Sequence, residues 1–196
     1  MTRLLIATTN ADKVREIRGL LTAVPLELTT LAAWPNVPAP EETGATFEEN
    51  ARVKARYYAA ATGELTVAED SGLEIDALDG APGVESARYG GAATSYPDKF
   101  SMIYTALRAR GAADSPARFV CAVALARDGE ILFETRGTVE GQIAPAPRGT
   151  GGFGYDPIFF YPPYGQTLAE AGDRKAAVSH RGVAFRALHA YLQSNF

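Results

Sequence analysis

The chain has 196 residues, 46% of them hydrophobic, with a formal net charge of −4 and a pI near 5.3. This suffices to bury one good-sized core, so a single folded unit over residues 1–196 is expected. The acidic balance argues against a coat for nucleic acid, and no apolar stretch reaches the length of a bilayer span.

From the N-terminus, Arg3 to Thr9 reads as a short buried strand. Its apolar run turns polar at Thr8-Thr9-Asn10, too soon for a signal-peptide core, so a cytoplasmic protein without a membrane partner is expected. Val14, Ile17, Leu20 or Leu21, and Val24 then recur at helical spacing. Pro35, Pro38 and Pro40 break the periodicity in a loop that delivers Glu41, Glu42 and Thr43. A second helix is predicted from about Thr46 to Thr62, where Thr46 and Glu49 have capping-box spacing. Leu65 to Ala68 reads as a short strand ending at Glu69-Asp70-Ser71-Gly72.

Pro97 to Arg110 follows as a helix with Phe100, Ile103 and Leu107 as its apolar stripe. Arg118 to Arg127 and Glu130 to Val139 flank Asp128-Gly129, a strong hairpin signal, and are predicted to be the longest antiparallel strands. Ile158 to Tyr161 is a short strand, and Val183, Ala187, Leu188, Tyr191 and Leu192 mark a final helix. Helix-linked strands combined with a hairpin predict a mixed sheet in a mixed α/β fold.

Chemistry concentrates in a few segments. Thr8, Thr9, Asn10, Ala11, Asp12 and Lys13 lie where a strand hands over to a helix, so hydroxyls, an amide, backbone N–H groups and an ammonium converge near a helix N-terminus. That combination suits a phosphate, although an ordinary Asn or Thr cap beside a solvated lysine reads the same way. The acids Glu41, Glu42, Glu48, Glu49, Glu69 and Asp70 come from three segments that could supply the one or two carboxylates Mg²⁺ prefers. Zinc is not indicated, because His180 and His189 have no companion thiolate pair.

Asn50 and Lys54 are four residues apart and share one helix face, so Lys54 stands either in a surface pair or against a charged ligand. Gly149 to Pro157 combines backbone freedom with Phe153, Gly154, Tyr155 and Asp156, where either aromatic could stack on a base. Lys175 precedes the donor-rich Ser179-His180-Arg181. The single cysteine, Cys121, sits in an apolar run and reads as a small buried hydrophobe.

Taken in order, Ala7-Thr8-Thr9-Asn10 with Lys13 and Glu16, Glu42-Thr43-Gly44 with Thr46-Phe47 and Glu49-Asn50-Ala51, Lys54-Ala55, Glu69 to Leu73, Pro82 to Tyr89, Gly152 to Phe159, Lys175 and Ser179-His180-Arg181 form a recognisable series. Over nearly its whole length the chain resembles the inosine triphosphate pyrophosphatase, or Ham1-like, family, and its bacterial dITP/XTP pyrophosphatase branch in particular. One departure is Glu85, where the family often has Tyr.

The resemblance implies an elongated α/β fold with a long mixed sheet, two lobes flanking a central nucleotide-binding cleft, and a homodimer. It also implies hydrolysis of aberrant purine nucleoside triphosphates (ITP, dITP, XTP) to the monophosphate and pyrophosphate, with Mg²⁺ as cofactor. Carried onto this sequence, it places Thr8 to Lys13 and Lys54 on phosphates, and Glu42, Glu69 and Asp70 around the metal, with Asp70 as the base. Ser71, Phe153, Gly154, Tyr155, Asp156, Lys175, His180 and Arg181 would contact the nucleotide. A pyrophosphatase for pyrimidine or modified nucleotides, or a nucleotide-sensing regulator, are the competing readings.

Overall fold

The computed structural model describes residues 2–112 and 114–196. Strand β1 (Arg3–Ile6) is shorter than expected, because after its buried Leu4-Leu5-Ile6 the chain turns back and the Thr8 N–H donates to the Ile6 carbonyl at 3.1 Å. Helix α1 (Ala11–Leu20) begins at Asn10, whose side chain accepts from the N–H groups of Asp12 and Lys13. Strand β2 (Glu27–Thr30) has no legible apolar alternation, since none of its residues is fully buried; it forms because its backbone pairs in parallel with β1, Arg3 opposite Glu27.

Helix α2 (Phe47–Thr62) starts where predicted: the Thr46 hydroxyl caps the Glu49 N–H, while the Glu49 carboxylate reaches back to the Ala45 N–H. Strand β3 (Leu65–Ile75) does not stop at Ala68 but runs on through Glu69-Asp70-Ser71-Gly72. Two acids look like a strand end only if they must face water, and here both are buried and paired. Helix α3 (Tyr96–Ala109) is capped by the Ser95 hydroxyl.

Strands β4 (Pro116–Arg127) and β5 (Glu130–Ile143) meet at Asp128-Gly129, both at positive φ as a two-residue primed turn requires, and are the longest strands described. Strands β6 (Phe159–Tyr161) and β7 (Gln166–Thr167) and helices α4 (Lys175–Val178) and α5 (His180–Asn195) complete the chain. The sheet order is β2-β1-β3-β4-β5-β6-β7. It is mixed as expected, with β1 parallel to β2 and β3, and β6 antiparallel to β5 and β7.

The chain divides into two compact units. The first comprises Met1–Asp70, Cys121–Gly137 and His180–Phe196. Its core joins Leu4 and Ile6 of β1, Ile17 of α1, Leu65 and Val67 of β3, Val123 and Leu125 of β4, and Phe185, Leu188 and Leu192 of α5. Those three α5 side chains recur at helical spacing on one face, and each contributes roughly 1.5–3 kcal/mol by leaving water. The second unit comprises Ser71–Val120 and Thr138–Ser179. There the predicted α3 stripe Phe100, Ile103 and Leu107 packs with Leu73, Ile75, Phe119 and Phe159, the last two stacked at 4.4 Å between ring centroids. Among the described residues no helix is long and apolar enough to cross a membrane.

Candidate active site

In the first unit, the turn from β1 into α1 is organised by Asn10. Its Oδ1 accepts from Asp12 N at 2.9 Å and Lys13 N at 3.1 Å, while the Asn10 N–H donates to Thr8 Oγ1 at 3.2 Å. The Asp12 carboxylate turns to Arg15 on the surface, at 2.7 Å. Thr9 and Ala11 are exposed. Lys13 is not the solvated lysine of the bland reading, for its Nζ lies 2.7 Å from Glu69 Oε1, with 18% of its side chain still exposed.

Glu69 is the hub of a buried network. Its Oε1 faces Lys13 and the Arg181 Nη2 at 3.4 Å, and its Oε2 accepts from the Cys121 thiol at 3.3 Å. Arg181, 1% exposed, reaches Glu16 through Nη1 at 2.7 Å. Burial pushes the Glu69 carboxyl up, but Lys13 and Arg181 outweigh it and hold the group well below the usual carboxylate range. Burial, helped by Glu69, drives the Cys121 thiol well above its ordinary value.

The next residue, Asp70, has both oxygens held. Oδ1 accepts from Lys54 Nζ at 3.0 Å and Oδ2 from Asn50 Nδ2 at 3.1 Å. Lys54 Nζ also faces Glu42 Oε2 at 3.3 Å. Because Asn50 and Lys54 lie one turn apart on α2, a single helix face meets both carboxylate oxygens. Burial raises the Asp70 pKa despite Lys54 and Asn50. For Lys54, burial pulls the other way, yet Asp70, Glu42 and Glu69 together raise its pKa and keep it an ammonium.

Helix α5 brings His180 and Arg181 in at its first turn, both buried. The helix start presses on β5 at Gly137, where a Cβ would lie 2.1 Å from the His180 carbonyl oxygen and 2.7 Å from Ala184 N. Nothing but glycine fits that approach.

In the second unit, Asp156 Oδ2 accepts from Lys175 Nζ at 2.6 Å and from Phe153 N at 2.8 Å. The Lys175 ammonium sits 4.8 Å from the centroid of the Phe153 ring. Gly152 adopts φ 67°, and a Cβ there would fall 2.1 Å from Asp156 Oδ2, so the loop closes on Asp156 only with glycine. Tyr155 is buried, with its hydroxyl donating to the Ser86 carbonyl at 2.7 Å and its ring edge-on to Tyr96 at 5.3 Å. Of the two aromatics proposed to stack on a base, Phe153 is therefore the one whose ring is only partly buried. Ser71 is half-buried on β3, and Gly154 follows Phe153 at φ 65°.

Three contributions went unread in the sequence: Asn50 as a partner of Asp70, Glu16 as a partner of Arg181, and Gly137 as the seat of α5. The Asn50/Lys54 spacing was the available signal for the first, and a glycine inside a predicted strand for the third. Glu16 is separated from Arg181 by 165 positions, and no local pattern connects them.

A dITP/XTP pyrophosphatase of an Exiguobacterium species is 48% identical over 192 residues, covering 96% of this chain and 95% of its own. The dITP/XTP pyrophosphatase of Thermus thermophilus is 48% identical over 189 residues, covering 95% and 89%. The solved structure of a HAM1 protein from Coxiella burnetii superposes with a TM-score of 0.92 at 40% identity, covering 99% of this chain and 100% of that one. The sequence model of the Ham1 family matches residues 4–191, and the chain belongs to that family.

Proposed function

We propose that this protein is a nucleoside-triphosphate pyrophosphatase that hydrolyses ITP, dITP and XTP to the nucleoside monophosphate and pyrophosphate, keeping them out of DNA and RNA. Relatives of nearly full length bear the name dITP/XTP pyrophosphatase. The observation that carries the mechanism is the Lys54 ammonium between the carboxylates of Asp70 and Glu42.

That arrangement fits Mg²⁺. Two carboxylates converging on one cation form the sparse oxygen donor set that Mg²⁺ completes with waters and phosphate oxygens. Among the described residues no larger group of His, Cys, Asp and Glu gathers as a metal cage. Glu42 and Asp70 are thus the residues that would hold the ion. Glu69, which the resemblance groups with them, faces Lys13 and Arg181 as their counter-charge and accepts from the Cys121 thiol. Mg²⁺ held by Glu42 and Asp70 would supply positive charge against the phosphates.

Asp70 acts as the base. In the metal-free protein burial raises its pKa, the direction a proton acceptor needs. A water oxygen bonds to the α-phosphorus as its proton passes to Asp70, and the bond from the α-phosphorus to the bridging oxygen breaks, its electron pair staying on that oxygen in the departing pyrophosphate. Lys13, partly exposed, and Lys54 offer positive charge to the phosphates. Phe153 offers an aromatic face to a base, and the N–H donors of His180 and Arg181 suit a 6-keto oxygen rather than an amino group.

The assembly proposed is a homodimer, on the family resemblance alone, and light scattering tests it. The deciding assay is pyrophosphate release from ITP, XTP, GTP and ATP with and without Mg²⁺. Fast release from ITP and XTP with Mg²⁺ is expected, and equal rates on all four would sink the reading.

A further inference from the structure

Asn50 is 1% exposed in the first turns of α2, and its amide is engaged at both ends. Nδ2 donates to Asp70 Oδ2 at 3.1 Å, and Oδ1 accepts from Gly44 N at 2.8 Å. Gly44 lies two residues after Glu42 in the loop that brings that carboxylate to Lys54. We propose that Asn50 is a positioning residue that sets the separation of Glu42 and Asp70, by tying the loop of one and the carboxylate of the other to the same helix. This rests on reading those two carboxylates as the metal-holding pair.

A bland role as a helix cap does not account for Asn50. The cap of α2 is already complete, with Thr46 Oγ1 on Glu49 N at 3.2 Å and Glu49 Oε2 on Ala45 N at 2.7 Å. Asn50 adds a second, separate tether. The loop also passes so close over the amide that a Cβ on Gly44 would lie 2.6 Å from Asn50 Oδ1 and 2.8 Å from Glu49 Cβ. With Lys54 on Oδ1 of Asp70 and Asn50 on Oδ2, the carboxylate cannot rotate without losing a bond to a buried partner. Lys54 alone would leave that rotation open. Groups that orient a metal-holding carboxylate in this way matter about as much as the ligands themselves.

The link can be cut from either side. Asn50→Leu removes both hydrogen bonds at similar volume, and Gly44→Ala forces the loop off the amide. The full-length protein and its variants would be titrated with Mn²⁺ alone by electron paramagnetic resonance, and assayed on ITP across a Mg²⁺ series. Each variant is expected to weaken Mn²⁺ binding and raise the half-saturating Mg²⁺ by about tenfold. KM for ITP at saturating Mg²⁺ should stay within about twofold, and the double variant should be no worse than Asn50→Leu alone, because the bond that Gly44→Ala breaks is one of the two that Asn50→Leu already removes.

Native-like Mn²⁺ binding by Asn50→Leu would overturn the proposal, as would effects of the two changes that multiply. If Asn50→Leu shows no cooperative melt, Asn50→Ser, too short to span both partners, is judged by the same criteria. Failure of the native protein to release pyrophosphate from ITP would sink the functional reading alone, since the Mn²⁺ titration still decides the role of Asn50. Failure of the native protein to bind Mn²⁺ would overturn the carboxylate pair and this inference together.

Discussion

Lys54 Nζ stands 3.0 Å from Asp70 Oδ1, both side chains nearly buried, yet the two partners are shifted by different causes. Burial dominates at Asp70, whereas three surrounding carboxylates keep Lys54 charged. Activity and stability should therefore part company at this pair.

Asp70→Asn is expected to lower kcat on ITP by about 10²-fold or more, since the proton acceptor is gone. Its melting temperature should not fall. A carboxyl whose folded pKa is raised stabilises the fold below its unfolded pKa, and that contribution is lost as pH rises through the folded pKa. In EDTA at pH 8 the variant should melt at or above the native temperature, with the relation reversing toward acid pH. A large loss of stability at pH 8 would show that ionised Asp70 supports the fold.

Glu69→Gln should behave in the opposite sense. The folded pKa of Glu69 is depressed, so its contribution is present above the unfolded pKa near 4.5 and is lost as pH falls through the lower folded value. Denaturant unfolding should show a deficit of about 3 kcal/mol at neutral pH, because Lys13 and Arg181 lose a shared counter-charge. The deficit should be flat from neutral pH down to the ordinary carboxylate range and shrink below it. A deficit that grows on acidification would contradict the charge assignment.

Gly137→Ala places a Cβ against the His180 carbonyl oxygen and Ala184 N, so the start of α5 must move. A loss of about 2 kcal/mol is expected, with a fall of at least about tenfold in kcat/KM as His180 and Arg181 shift. Gly19→Ala is the contrast: Gly19 is exposed on α1, with nothing within 4 Å of an added Cβ. That change should raise stability by about 0.5–1 kcal/mol and leave turnover alone.

Lys175→Met removes the ammonium that neutralises Asp156 and lies against the Phe153 ring. With Asp156 left buried and without that charge, the loop holding Phe153 should lose its fixed geometry. On the proposed role in binding, KM for ITP is expected to rise about tenfold while kcat changes much less. A matching fall in kcat with KM unmoved would shift this cluster from binding to the chemical step.

Much of this was legible in the sequence because it is local. The Thr46 cap, the Asp128-Gly129 hairpin and the α3 stripe are each set by residues a few positions apart, and each appears where the pattern placed it. Strand β2 was missed because its side chains carry no alternation and only its backbone pairing with β1 defines it. The length of β3 was missed for a different reason: Glu69 and Asp70 read as exposed until Lys13, Arg181, Lys54 and Asn50 are brought to them from distant segments. At the site, the residue types were readable and the pairing was not. Glu69 read as one of three carboxylates for a metal, and the pairing of its Oε1 with Lys13 and Arg181 had no sequence signal.

The burial of Cys121 has a practical side. The chain has one cysteine, and that thiol is fully buried, donates to Glu69 and is pushed far from ionisation. Thiolate, not thiol, reacts with maleimides and disulfide reagents. A cysteine introduced at exposed Leu132 would therefore be the only site to take a fluorophore or spin label, with the native sequence otherwise intact.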